Sequence, residues 1–218
     1  MKEKTGLFDF VEDPKYPQYY KVCKNTGVHL YIPAVKRGYE NSYFLDEYKT
    51  QYKKTYYEDE TFLRSIARER IQLLKKYLNK KSPSIFEIGC AAGFFLDEAQ
   101  KNGFLASGLE ISEKEADFAN SLGISVIQSS FEDYEPVESY DVFASFFVLE
   151  HFSDQEKVLR KISTMINDDG LFILAIPSLN GPTFKTDPKI WLETHPKDHF
   201  FDYDPKSISL VLGQLGMK

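Results

Sequence analysis

Seven residues, Glu87-Ile88-Gly89-Cys90-Ala91-Ala92-Gly93, carry the most specific chemistry in the sequence. An apolar run ends in a carboxylate, and two glycines then bracket three small residues before a helix-like pattern begins. Gly89 and Gly93 allow backbone dihedrals that other residues avoid, and the small Cys90, Ala91 and Ala92 let a ligand approach the main chain. The spacing is E-x-G-x-x-x-G. It is not the G-x-G-x-x-G that seats a pyrophosphate on a helix N-terminus, and Glu87 is poorly placed beside phosphates. A carboxylate there suits a ligand with a cationic ammonium group. Glu110 closes the next apolar run, in "SGLEIS", roughly twenty residues after the glycines, where an acid in an open α/β sheet grips ribose hydroxyls. A carboxylate favoured by the dipole of the following helix is the rival account of Glu110; it explains that residue alone but not its pairing with the glycine turn.

These residues need strands and helices to hold them, and the pattern supplies both. From Thr61, Leu63, Ile66, Ala67, Ile71, Leu74 and Leu78 recur at helical spacing, with Thr61 as a cap near the start and Pro83 ending the run. After Ser84 the chain alternates: strand "SIFEIGC", helix "FFLDEAQKNG", strand "FLASGLEI" and a helix capped by Ser112 with Glu115 in the capping-box place. Strands "ISVIQSS" and "YDVFASFFV" follow, then a helix capped by Ser153, a "DDG" turn and strand "LFILAIP". Strands separated by single helices predict a doubly wound, mostly parallel α/β sheet with helices on both faces. Residues 1–60 read as an irregular, tyrosine-rich extension, and 61–218 as the sheet domain. Residues 177–204 read as an irregular excursion and "DPKSISLVLGQLG" as a final helix. A domain of this kind ordinarily continues into further strands, so either the sheet ends early or the chain is a truncated form of something longer.

The 218 residues suit one domain with an extension, and the net charge of −6 argues against nucleic acid as partner. The basic stretch "LLKKYLNKKS" reads as a solvated helix end. Two cysteines, Cys23 and Cys90, make neither a disulfide framework nor a complete metal cluster. With no apolar run of signal or membrane-spanning length, a cytoplasmic protein acting on small molecules is the expectation, with no membrane partner.

In order and spacing, "FEIGCAAG", "GLEIS", "YDVFASFFVLEH" and "DDGLFILAIPS" resemble the class I S-adenosylmethionine-dependent methyltransferases, and most of all the branch of the ubiquinone-biosynthesis O-methyltransferases. The similarity covers residues 84–177, and extends more loosely to the tyrosine-rich segment and to "HPKDHFFDYDPKSISLVL". The resemblance implies a Rossmann-like fold with S-adenosylmethionine as cofactor. Gly89, Cys90, Ala91 and Gly93 then lie against its methionine part, Glu87 near its ammonium, and Glu110 with Ile111 at its ribose. Ser130 and Phe131 edge the adenine and Phe146 covers the cofactor near its sulfur. Two departures stand out. Ser130 occupies a position where the family often has Asp, and "CKNTG" has Thr26 where relatives with a similar extension have a second cysteine, which counts against zinc at Cys23.

Methyl transfer from a sulfonium is an in-line displacement in which the protein mainly orients the reactants. A hydroxyl acceptor, such as a phenol or sugar, still benefits from a base. His151 in "VLEHFSD", just beyond the fourth strand of the sheet, is one candidate, and His199 in "KDHFFDYD" is a second, as base or substrate ligand. Otherwise Glu150 and His151 organise the loop before the next helix, and His199 packs among Phe200, Phe201 and Tyr203. Glu150, His151 and His199 also form a donor set suited to a divalent metal, but nothing in their spacing demands one, and no metal is expected. The tyrosine-rich segment reads as a lid over the cofactor or as a packing helix, and Trp191 as a lining of the acceptor pocket or as core. The function expected is S-adenosylmethionine-dependent methylation of a small molecule, at oxygen before nitrogen or carbon. The alternatives are a non-catalytic binder of the same cofactor and an aminopropyltransferase-like enzyme. Phe146 and Phe147 at the end of the fourth strand speak against the latter, which needs an acid there.

Overall fold

The structure, a computed structural model, describes residues 6–36, 38, 48–49 and 53–217. Of the tyrosine-rich segment, Tyr39, Tyr43 and Tyr52 lie outside the described residues, while Tyr48, Tyr56 and Tyr57 fall within them. Contacts divide the chain into two units: Met1–Arg37 with Phe146–Thr164 and Leu174–Lys218, and Gly38–Ser145 with Met165–Ile173.

The first unit holds an antiparallel sheet that the sequence pattern did not suggest. Strands β1 (Phe10–Glu12), β2 (Tyr20–Cys23) and β3 (His29–Tyr31) form a meander, and β9 (Phe201–Asp202) pairs with β3 from far along the chain, giving the order β1-β2-β3-β9. Such short strands carry too little alternation to be legible, and each depends on its partner. Helices α4 (Gln155–Thr164), α5 (Pro182–Thr186), α6 (Pro188–Thr194) and α7 (Pro205–Gln214) complete this unit, so the excursion at 177–204 is ordered. Proline opens the last three, where the missing N–H costs nothing. Asp187 caps α6 through the N–H groups of Lys189 and Ile190, and Asp204 forms a capping box with Ser207.

The second unit holds the α/β sheet anticipated from the alternation. Strands β4 (Ser84–Ile88), β5 (Leu105–Glu110), β6 (Ser125–Gln128), β7 (Tyr140–Phe146) and β8 (Ile166–Ala175) lie in the order β6-β5-β4-β7-β8. The pairs β4–β5, β4–β7 and β5–β6 are parallel. Along β8 the N–H of Tyr140 donates to Met165 O at 2.8 Å and that of Phe147 to Ala175 O at 2.7 Å, so β7 and β8 advance together. The flanking helices are α1 (Glu60–Tyr77), α2 (Phe94–Lys101) and α3 (Glu113–Ser121). Helix α1 buries Ala67, Ile71 and Leu74, as its periodicity requires; Thr61 lies inside the first turn rather than capping it. Arg64 joins α1 to α2: Nε donates to Glu60 at 2.7 Å, Nη1 bonds Asp97 and Glu98, and the guanidinium carbon lies 4.9 Å from the centre of the Phe94 ring. Burial alone would raise the Asp97 pKa, yet Lys101 and Arg64 hold it below the ordinary carboxylate value. Ser112 stands at the N-cap of α3, but its hydroxyl bonds the Glu115 carboxylate, so the expected capping box does not form.

At the centre of the sheet Phe143 is fully buried, with ring centres of Phe86, Phe131 and Phe172 at 5.9, 6.0 and 5.7 Å. No described helix is long and apolar enough to cross a membrane. Replacing Phe143 by Ala should cost about 3–5 kcal/mol of unfolding free energy in a denaturant titration. Removing the exposed Val137 side chain should change it by less than about 0.5 kcal/mol. Equal effects would contradict this packing.

Candidate functional site

The turn between β4 and α2 has the backbone its glycines promised. Gly89, Ala91 and Gly93 have φ of 63°, 47° and 72°, three left-handed residues in five. Gly93 is also required for space: a Cβ there would lie 2.8 Å from Ala119 Cβ and 2.9 Å from Ile124 Cδ1. Ala91 carries a side chain in a region that costs roughly 1–2 kcal/mol. Its N–H donates to Glu110 Oε2 at 2.8 Å, while Glu110 Oε1 accepts from Ser112 N–H at 2.9 Å. Cys90 N–H donates to Leu109 O at 3.0 Å, and Gly93 N–H to Cys90 O at 2.9 Å. The end of β5 thus holds the turn in shape. Sequence reasoning brought Glu110 to this place but could not show that it also braces Ala91.

Glu87 lies beneath the turn, 4% exposed, with Gly108 and Ala144 beside it on the neighbouring strands. Its Oε2 has no hydrogen-bond partner among the described residues. Burial raises its pKa to about 8; Arg70 pulls the value down and Glu110 pushes it up. Glu110 is likewise raised, by burial, against the N–H groups of Ser112, Ala91 and Ile111 that favour its anion. Burial, with Glu87 and Glu110 nearby, keeps the Cys90 thiol protonated. The turn thus covers a buried carboxyl that is kept protonated for want of a donor to its anion, a setting in which an arriving cation would favour ionisation.

At the end of β6, the Ser130 hydroxyl donates to Asp133 Oδ2 at 2.7 Å and accepts from Asp133 N–H at 3.1 Å. An acid three residues on thus stands beside the serine that replaces the family's Asp; the sequence reading passed over it. Phe131 is buried, its ring inclined 65° to that of Phe143, and Ile111 is exposed. Phe146 ends β7, and Phe147 after it is exposed with a left-handed φ of 58°.

The described tyrosines of the tyrosine-rich segment each have their own partner. Tyr48 donates to Asp59 Oδ2 at 2.8 Å and Tyr57 to Glu115 Oε1 at 3.3 Å. Tyr56 stacks on Phe94 with ring centres 5.4 Å apart and planes 4° from parallel.

The first unit gathers the histidines. His151, at the end of a 3-10 turn over Leu149–His151, has Nδ1 3.4 Å from Asp198 Oδ2, and its ring stands perpendicular to His199 at 4.6 Å. Burial would lower the His151 pKa, but Asp198 and Glu150 raise it; burial and His151 press His199 down to about 3, so His199 is neutral. Burial holds Glu150 at about 7 despite His151. One ligand atom from each of Glu150, His151 and His199 lies within 4.8 Å of the others, a carboxylate–imidazole set that several divalent metals accept. Asp198, buried and absent from the sequence reading, could have been suspected only once His151 was known to face it. Beside this group His195 Nε2 meets Asp202 Oδ2 at 2.8 Å, Tyr20 donates to the same oxygen at 2.8 Å, and Trp191 Nε1 donates to Tyr20 at 3.2 Å. Trp191 packs against the Tyr20, Tyr31 and Leu192 cluster. Cys23 is a buried free thiol that belongs to no metal-binding group among the described residues.

Comparison with known proteins agrees with the fold. Residues 57–218 match the family described as methyltransferase domain. The ubiquinone biosynthesis O-methyltransferase of Vibrio campbellii (strain ATCC BAA-1116) is 25% identical over 107 residues, 43% of this chain and 46% of that protein. That of Vibrio vulnificus (strain YJ016) is 26% identical over 94 residues, 39% of this chain and 40% of that one. The chain therefore spans about half the length, or less, of these curated relatives. Among solved structures, magnesium protoporphyrin IX methyltransferase from Synechocystis PCC 6803, with S-adenosylhomocysteine bound, superposes with a TM-score of 0.63 at 16% identity over 81% of this chain and 85% of that one. An S-adenosylmethionine-dependent methyltransferase from Thermotoga maritima gives 0.57 at 18% identity over 79% and 80%. The structural likenesses show the shared fold, and the family match covers most of the sequence: the chain belongs to the methyltransferase-domain family, in the Rossmann-like, S-adenosylmethionine-dependent class that its motifs resemble.

Proposed function

We propose that the protein transfers a methyl group from S-adenosylmethionine to a hydroxyl of a small molecule. The observation that carries the donor half is the left-handed turn at Gly89–Gly93, with Glu87 buried under it and Glu110 bonded to Ala91. In this reading Glu87 ionises to receive the donor's ammonium, and the turn's small residues let the methionine portion lie along the main chain. Glu110 takes the ribose hydroxyls while keeping its bonds to Ala91 and Ser112. Ile111, Ser130, with Asp133 behind it, and Phe131 border the adenine, and Phe146 covers the sulfur. When bound, the donor supplies an electrophilic methyl and leaves as a neutral thioether.

The oxygen preference draws on the motif resemblance, on the relatives named as O-methyltransferases, and on His151. In this reading His151, with Nδ1 3.4 Å from Asp198 Oδ2, takes the acceptor's proton, and neutral His199 stands beside it as a second acceptor or substrate ligand. The grouping of Glu150, His151 and His199 favours a second reading of the same step, in which a divalent cation held there lowers the hydroxyl's pKa.

Calorimetry with S-adenosylhomocysteine should show binding, and Glu110→Ala should weaken it by about 10–100-fold, the loss of charge-assisted bonds to two hydroxyls. Unchanged affinity would refute the ribose role. Across phenol, sugar and amine acceptors, release of S-adenosylhomocysteine should accompany methylation at oxygen, and methyl products on nitrogen alone would overturn that half. His151→Ala should lower kcat by about 10²–10⁴-fold. If chelation abolishes turnover and an added divalent ion restores it, the cation reading replaces the base.

A further inference from the structure

We propose that the antiparallel-sheet unit carries a binding site for a neutral sugar ring, in the cavity between the β1–β2 loop and α5. This goes beyond the methyl-transfer reading and does not depend on it, because every residue lining the cavity belongs to this one unit. The cavity measures about 260 Å³, just under the range typical of drug-sized ligands, and suits a molecule of one ring.

One buried acid organises the wall. Asp13, 5% exposed, accepts the N–H groups of Lys15 and Tyr16 through Oδ1, both at 2.7 Å, and its Oδ2 lies 3.0 Å from His29 Nε2. The same carboxylate therefore shapes the loop and orients the imidazole. The Tyr20 ring packs beside His29, 5.4 Å away and inclined at 81°, while the part-buried His29 lines the cavity. A second acid, Asp204, accepts the Ser207 N–H at 2.7 Å and lines the cavity together with Lys15. The apolar part of the wall comes from Tyr16, Leu179 and Phe184, all part-buried, with the Tyr16 and Phe184 ring centres 6.2 Å apart. These groups select among ligand chemistries. A permanent anion would meet the carboxylates of Asp13 and Asp204, and a permanent cation the Lys15 ammonium. A wholly apolar ligand would strip water from polar side chains and return no hydrogen bond. A hydroxyl both donates and accepts, so a ring bearing several can answer Lys15, His29 and Asp204 together while its C–H surface covers the apolar wall. A neutral monosaccharide has that chemistry.

The test titrates the intact chain with glucose, galactose, mannose and N-acetylglucosamine and follows the imidazole NMR signals of its four histidines. At least one sugar should bind with a Kd of about 1 mM, and the largest shift should fall on His29. The amino sugar and the uronic acid of the same ring, which add a charge, should each bind at least about threefold more weakly. His29→Phe keeps a ring beside Tyr20 without hydrogen-bonding atoms, and should weaken the sugar by about tenfold. Leu179→Trp, read in place of the His29 variant should that one not fold, fills the cavity and should abolish binding. No neutral sugar bound at about 50 mM, tighter binding of a charged form, a largest shift away from His29, or undiminished affinity in a folded variant would each overturn the proposal. Titrating S-adenosylhomocysteine into the same sample reports separately on the donor reading.

Discussion

A carboxylate buried without a hydrogen-bond partner for one of its oxygens is the constraint around which the parallel-sheet unit is arranged. Glu87 sits at the end of a central strand, between Gly108 and Ala144, two of the smallest side chains available. Burying such a group as an anion is costly unless it is paired, so the ligand-free protein keeps it protonated to about pH 8. The unfolded chain would ionise the same group near the ordinary carboxylate value. Because the folded pKa is the higher one, stability contributed at this position is complete at low pH and is lost progressively as pH rises toward 8. Arg70 is close enough to soften the penalty but not to remove it. A group that weakens the empty fold and would be satisfied by an arriving cation is the pattern of a binding site.

The backbone of the turn follows from the same constraint. Three left-handed residues lead the main chain out of β4 and into α2 at Phe94. Glycine makes two of them inexpensive; the third, Ala91, is held by Glu110. One acid is thus left bare beneath the turn while the other is structural and still retains lone pairs. In the antiparallel-sheet unit the acids and histidines face one another: Asp202 Oδ2 meets His195 and Tyr20, and Asp198 Oδ2 lies 3.4 Å from His151 Nδ1, while Asp202 Oδ1 and Glu150 Oε2 have no hydrogen-bond partner among the described residues. There a neutral His199 and a Glu150 poised near neutrality stand together, a set able to trade protons or hold a cation.

Much of this was legible from the residues, for a physical reason. The β4–turn–α2 segment is local, with consecutive residues carrying period, glycines and acid, so its reading needed no partner. The α/β alternation and the positions of Glu87 and Glu110 were legible in the same way. The three N-terminal strands were not, because β3 finds β9 across most of the chain and none of them is long enough to alternate. Nor were α5 and α6, although Gly181-Pro182 and Asp187-Pro188 carry the proline-at-N1 signal that could have found them. Asp198 and Asp133 were missed because an acid's role depends on what folds against it, His151 in one case and Ser130 in the other. The individual duties of Tyr48, Tyr56 and Tyr57 likewise emerge only from their partners, since by type and spacing they are alike.

The account rests on Glu87 losing its proton to solvent when a cationic ligand binds. Counting the protons released when S-adenosylhomocysteine binds, from calorimetric enthalpies in buffers of different ionisation enthalpy, addresses that directly. Close to one proton per ligand should be released at about pH 7, and the release should vanish in Glu87→Gln. Binding at about pH 7 with no proton exchange, and with undiminished affinity in Glu87→Gln, would contradict it.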